Sequence, residues 1–284
     1  MIRLGVNTMV WSGGYDGRQI ELCERIRGWG YQVMELPVFD FDAVDPAPVR
    51  RALAAAGLRL TVTSAMPPGL SMISADAAVR RRARGWLVHA ARKTAEMGGT
   101  ILAGPMYHPV GDLPGRRRTA AEWDYAVAGY RALAHAAESS GARIAIEPLN
   151  RFEAYFLNTA ADARRLCDEI GSDAVGVLYD TFHANIEERD IVGALGTLGP
   201  RLMHVHLSEN DRGIPGTGHV PFGPLADALA RMNYDGCAVV ESFAGSIPEL
   251  ARSTAMWRDY AESPDEFARR AIENLRPFFP ETES

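Results

Sequence analysis

The chain has 284 residues, 47% of them hydrophobic and 23% charged, enough to build a large core in one barrel-sized domain spanning 1–284. Its formal net charge of −6 and pI near 5.7, without a face-wide excess of Lys and Arg, argue against nucleic acid as a partner. No apolar run approaches the ~18 residues of a membrane span, so no membrane partner is expected either.

The opening stretch MIRLGVNTMVW lacks the long apolar segment of a secretory leader, and 2–7 reads as a first strand. A helix is predicted over 16–29 and a second strand over 31–36, followed by a helix over 46–56. Asp45-Pro46 fits a cap with proline at the first helical position, and Gly57 supplies the left-handed stop. Strand 58–64 and helix 75–97 come next, then strand 99–104 and helix 119–140, ended by Gly141. The basic clusters Arg80–Arg84 and Arg116–Arg118 contain or border helix surface and read as solvated faces. Strand 142–147 precedes a helix over 159–170, where Thr159 with Asp162 three residues on looks like an N-cap. The remaining strands are 174–180, 201–207 and 236–242; the remaining helices are 187–198, 222–233 and a long one over 247–276. The tail after Phe279 is expected to fray. Cys23, Cys167 and Cys237 show no metal-type spacing and cannot all pair, which fits a reducing compartment and a cytoplasmic location.

Eight strand–helix repeats without a break in composition predict an α/β fold, a single (β/α)8 TIM barrel. The rival, a doubly wound open sheet, usually carries a glycine-rich phosphate loop after its first strand, and TMVWSGGYDG does not match that fingerprint.

Four consecutive predicted strands carry ligand-type residues at their ends: Glu147, Asp180, His206 and Glu241. In a barrel the C-terminal strand ends form one ring, so these residues would meet in space. Strand alternation supports a shared inward phase, with Ile144, Ile146, Val177, Tyr179, Met203, Val205, Ala238 and Val240 facing the helices. Three carboxylates in contact repel, and a divalent cation removes that cost; carboxylates with one imidazole suit Mn²⁺, Mg²⁺ or Co²⁺. His183, Arg212 and Glu153 fall on loops over the same mouth and can hold polar oxygens. Asn7, Thr8, Trp11, Met66, Tyr107 and His108 follow strands one, three and four, and are expected at the far end of a bound substrate; Trp11 is equally compatible with rim packing. His204 shares the phase of His206 one layer deeper and reads as a satisfied core histidine, and Cys237 is expected to face the barrel core.

The segments IAIEPLNRFE, DTFHANIEE, HVHLSENDRGIPGTG and VVESF resemble the ketose 3-epimerases of the D-tagatose, D-allulose and L-ribulose 3-epimerase group, which are xylose isomerase-like barrels. The resemblance implies a Mn²⁺ or Co²⁺ ion held by Glu147, Asp180, His206 and Glu241. It also implies that Glu147 and Glu241 face each other across a free ketose, exchange its C3 proton and pass through a cis-enediolate. Glu153, His183 and Arg212 match positions that bind the C1–C3 oxygens and the carbonyl, and a homodimer or homotetramer is implied. Three other readings compete. The same site could serve a sugar or inosose isomerase, or a lyase acting on an oxidised glycoside. An endonuclease IV type enzyme would want more histidines and a basic groove. The third is a sugar-binding barrel without catalysis.

Overall fold

A computed structural model describes residues 2–279, and the tail expected to fray lies outside them. Eight parallel strands close into a barrel in chain order: β1 (Arg3–Asn7), β2 (Val33–Pro37), β3 (Arg59–Thr63), β4 (Ile101–Gly104), β5 (Arg143–Ile146), β6 (Val175–Asp180), β7 (Leu202–Leu207) and β8 (Cys237–Val240). β1 pairs with β8, from Arg3 opposite Cys237 to Val6 opposite Val240, and this closure eliminates the open-sheet alternative.

The strands are apolar because both faces are buried. Ile144, Ile146, Val177, Tyr179, Val205, Ala238 and Val240 join the large core under the helices, as alternation predicts. Ile101, Ala103, Ala145, Leu178 and Met203 pack together as a separate cluster, and Val33, Cys237 and Val239 form another. Met203 corrects the phase argument. The β6–β7 register jumps, with Val177 opposite Leu202 but Leu178 opposite His204, so Met203 is the extra residue of a bulge. A bulge resets the alternation, which lets Met203 share the face of Ala145 and Leu178.

The helices are α1 (Cys23–Gly28), α2 (Pro46–Ala56), α3 (Ala77–Glu96), α4 (Ala120–Ser140), α5 (Ala160–Ile170), α6 (Thr181–Glu187), α7 (Ile191–Leu198), α8 (Phe222–Arg231), α9 (Pro248–Thr254) and α10 (Pro264–Leu275). The cap at Asp45 and the left-handed stops at Gly57 (φ 65°) and Gly141 (φ 87°) form as predicted. Three helical stretches depart from the sequence reading. Over 16–29 the chain begins as a 3-10 turn, Arg18–Leu22. The helix predicted over 187–198 starts only at Ile191, because Asp190 caps it through the Val192 and Gly193 N–H groups; α6 precedes it and carries His183. The long helix over 247–276 is two helices, since Ala255 turns left-handed (φ 56°) and Ser263-Pro264 begins a new cap.

The Arg116–Arg118 cluster is also more than a solvated face. Arg118 makes a forked pair with Asp162, both bonds at 2.8 Å, and Arg116 pairs with Glu122 at 2.7 Å. Glu122 closes a capping box with Thr119, the reciprocal arrangement that Thr159–Asp162 lacks because Asp162 turns to Arg118. The hydrogen bond from Arg116 holds the Glu122 carboxyl down at about 2, below its ordinary 4.5. Since the folded-state value lies below the unfolded one, this stabilisation is complete above pH ~4.5 and is lost as pH falls toward 2. Glu122→Gln is expected to cost about 1 kcal/mol at pH 7. Its deficit against wild type in chemical denaturation should shrink steadily on acidification through that window.

Candidate metal centre and active site

The C-terminal ends of β5 to β8 deliver one side chain each. Glu147 follows Ile146, and its N–H continues the ladder to the Gly104 carbonyl at 3.1 Å. Asp180 ends β6 and caps α6 through the Phe182 N–H at 2.8 Å. His206 lies in β7, and Glu241 follows Val240. One ligand atom from each of the four lies within 4.8 Å of all the others, and all four residues are buried.

Burial raises the Glu147 pKa well above the carboxylate range, and the charge on Glu241 raises it further. Burial also opposes ionisation of Asp180, but Arg212, His183 and His206 outweigh it and hold its pKa well below the usual value. Arg212 Nη1 donates to Asp180 Oδ2 (2.8 Å), Ser208 Oγ (2.8 Å) and Glu241 Oε2 (2.9 Å). Its guanidinium lies over Phe182 and Phe243, at 4.0 and 4.9 Å from the ring centres. The residue has φ 62°, a left-handed conformation imposed by the loop after β7. That loop is organised by buried Glu209, which accepts the backbone N–H groups of Asn210, Gly216 and Val220.

The donor set fits a divalent cation. With all three carboxylates ionised and His206 neutral, the one guanidinium would leave two negative charges for a divalent cation to offset. Nδ1 of His206 is buried without a hydrogen-bond partner, 3.3 Å from Glu241 Oε1 and 4.0 Å from Glu147 Oε1. Burial opposes protonation of this imidazole, yet Glu241 and Glu35 more than offset it and raise its pKa well above normal. Oxygen-rich sites with a single imidazole favour hard divalent ions over thiophilic ones.

Of the loop residues predicted to touch a substrate, His183 and Arg212 stand at the ring. His183 Nδ1 accepts the Asn150 backbone N–H at 3.1 Å, and its Nε2 lies 3.2 Å from Arg212 Nη2, itself a donor. His183 Nε2 points inward, 3.7 Å from both Glu147 Oε1 and Asp180 Oδ2, and burial lowers the His183 pKa against the pull of Asp180. Glu153 stands at the rim, where it accepts Asn150 Nδ2 at 2.7 Å.

Trp11 and His108 are not gathered to the ring. Trp11 follows a 3-10 turn (Thr8–Val10) capped by Asn7, which swings it outward to donate to Asp265 at 2.7 Å and stack on Trp29. These contacts fit the rim-packing reading. His108 sits in a cleft of about 420 Å³ between the β3 and β4 loops, bonded to Ser71 Oγ at 3.1 Å and paired with Asp112 at 3.2 Å. Asn7 and Thr8 are likewise spent elsewhere, on the side chain and the carbonyl of Glu35.

Glu35 itself escaped the sequence reading. It lies on β2 with no exposed surface, and both His204 and His206 donate to it from Nε2 at 2.7 and 2.8 Å. Burial alone would raise its pKa, but the two histidines hold it well below the usual range. The available signal was an acid set within an apolar run, since YQVMEL places Glu35 between Met34 and Leu36.

A closed parallel barrel with three carboxylates and an imidazole at the mouth defines a (β/α)8 barrel with a candidate divalent-cation site. The chain belongs to the xylose isomerase-like TIM barrel family, whose model matches residues 23–278. It is 30% identical over 278 residues to the ketose 3-epimerase of Arthrobacter globiformis, with 97% of this chain and 96% of that one covered. Against the L-ribulose 3-epimerase of Mesorhizobium japonicum the identity is 31% over 262 residues, covering 91% and 88%. The solved structure of L-ribulose 3-epimerase superposes with a TM-score of 0.91 at 29% identity, covering 98% of this chain and 96% of the other. The likeness first carried by four motifs thus runs the length of the barrel. Among the described residues, no helix is long and apolar enough to cross a membrane.

Proposed function

We propose that this protein is a ketose 3-epimerase acting on free sugars of the D-tagatose, D-fructose/D-allulose or L-ribulose type. The observation that carries the reading is the placement of Glu147 and Glu241 on the two outer strands of a four-strand arc, β5 and β8, with their carboxylates within 4.8 Å of the same His206 nitrogen. Two carboxylates approaching from separate strands can address opposite faces of one carbon, which a single strand cannot arrange. One Glu takes the proton from C3; the C–H electrons move toward C2 and the carbonyl oxygen, giving an enediolate. The other Glu returns a proton to the opposite face of C3, so the step balances without an outside oxidant or reductant.

Arg212 and His183, whose Nη2 and Nε2 stand 3.2 Å apart, bind and orient substrate oxygens, with Glu153 at the rim. The Asn150 backbone N–H holds the His183 ring in place through Nδ1. Glu147, Asp180, His206 and Glu241 would hold Mn²⁺, with Co²⁺ or Mg²⁺ as alternatives. When bound, such an ion polarises the carbonyl and offsets the charge that develops on its oxygen. We also propose a homodimer or homotetramer, supported by large exposed apolar side chains such as Phe152 (71% exposed), and a cytoplasmic location, supported by three free buried cysteines.

Protein stripped with chelator and reloaded with Mn²⁺ should interconvert a ketohexose or ketopentose with its C3 epimer, resolved by chromatography. A panel of D-tagatose, D-fructose, D-allulose and L-ribulose left unchanged after reloading would overturn this assignment.

A further inference from the structure

Glu35 has no place in the reaction just described, and a fully buried carboxylate demands an explanation. Its oxygens receive four donors. Asn7 Nδ2 (2.9 Å) and His206 Nε2 (2.8 Å) meet Oε1; Thr61 Oγ1 (2.8 Å) and His204 Nε2 (2.7 Å) meet Oε2. The Asn7 amide orientation is fixed independently, because its oxygen accepts the Met9 N–H at 2.9 Å. An ionised carboxylate only accepts and offers about four lone-pair sites, so every site is filled. Both imidazoles must therefore present Nε2–H. A neutral ring protonated there leaves its lone pair on Nδ1, the unpartnered nitrogen of His206 that faces Glu241 and Glu147.

Resting on the metal-site reading above, we propose that Glu35 is a positioning residue for that site: from the opposite side of the barrel bore it fixes His206 as the Nε2–H tautomer and aims Nδ1 at the carboxylate ring. β2 and β7 are not neighbours, since β1 and β8 lie between them, so the bond spans the interior. His204, whose ring meets His206 edge-on at 5.2 Å between centroids, is held by the other oxygen and wedges the imidazole in place. Glu35, His204 and His206 also lie close enough to invite a second ion. Both Nε2 atoms and all four carboxylate sites are committed to hydrogen bonds, which leaves the trio only the two Nδ1 atoms and no free carboxylate oxygen. One ion per chain is expected.

The test is Mn²⁺ titration of chelator-stripped wild type and Glu35→Gln by calorimetry, with circular dichroism and melting of the metal-free proteins as the check on folding. An amide can accept through only one of its two heads, so the clamp on the two imidazoles is broken. Affinity should fall about 10–100-fold with the fold retained. Equal affinity in a folded variant, or two Mn²⁺ per wild-type chain, overturns the proposal. Should Glu35→Gln fail to fold, long-range ¹H–¹⁵N spectra of wild type loaded with diamagnetic Mg²⁺ decide the matter. His204 and His206 should both be protonated at Nε2, and a proton on His206 Nδ1 overturns the proposal. Wild type that binds no Mn²⁺ at all instead removes the metal-site reading, and this inference with it.

Discussion

Replacing either Glu147 or Glu241 by Gln is expected to lower ketose turnover by about 10²–10⁴-fold, the usual contribution of a positioned acid–base group. Gln keeps the size of the side chain and one coordinating oxygen while removing the proton acceptor. Both variants should therefore remain folded and retain measurable Mn²⁺. The two losses should not multiply in the double variant, because epimerisation needs both carboxylates in every turnover. Solvent deuterium gives a second readout. A carboxylate that takes the C3 proton and exchanges with water labels C3 in the product, and each single variant should suppress this wash-in along with turnover. Full turnover in both single variants would assign the chemistry to other groups.

Removing Arg212 is expected to have the second largest effect, and its sign depends on the ion. Its guanidinium is buried against Asp180 and Glu241 at 2.8 and 2.9 Å, and those carboxylates together with Glu147 lie within 4.8 Å of His206. Deleting one partner of a buried ion pair costs about 3–5 kcal/mol, because the remaining charges stay desolvated and uncompensated. Arg212→Ala should therefore lower the melting temperature of chelator-treated protein substantially. A divalent cation supplies positive charge at the same carboxylates, so Mn²⁺ should raise the melting temperature of the variant by more than it raises that of wild type. On the proposed role of its guanidinium in holding substrate oxygens, ketose KM should rise at the same time. Identical metal-induced shifts in the two proteins would show that Arg212 does not balance the ring.

Much of this architecture was legible in the residues. The barrel followed from eight apolar runs separated by amphipathic stretches, and the ring from ligand-type residues ending the last four runs. Both signals are periodic, and periodicity survives folding because strand alternation dictates which way a side chain points. What was less legible was aperiodic. Trp11 lies past the strand end, and its direction depends on the 3-10 turn that Asn7 caps rather than on strand phase. His108 follows β4 by four residues, and its loop carries it outward to Ser71 and Asp112. Met203 is the residue where a bulge breaks the two-residue period. In the 247–276 stretch the apolar pattern runs straight across Ser263-Pro264, so periodicity hid a boundary that the capping pair marked. Glu35 gave a weaker signal, because it sits in the middle of β2 rather than at its end and β2 lies outside the run of four neighbouring strands that carry the ring.

The bond from Glu35 to His206 joins positions 171 residues apart. Every candidate ligand comes from the second half of the chain, whereas the carboxylate that steadies the imidazole comes from the first. A fragment beginning at β5 would carry the complete set of ion-binding side chains and still be a poor trap, because it would lack the carboxylate that holds the Nε2 edge of the histidine ring. Loading the ion is thus a property of the closed ring rather than of the strands that touch it, and cation uptake reports on whether the two halves of the polypeptide have met.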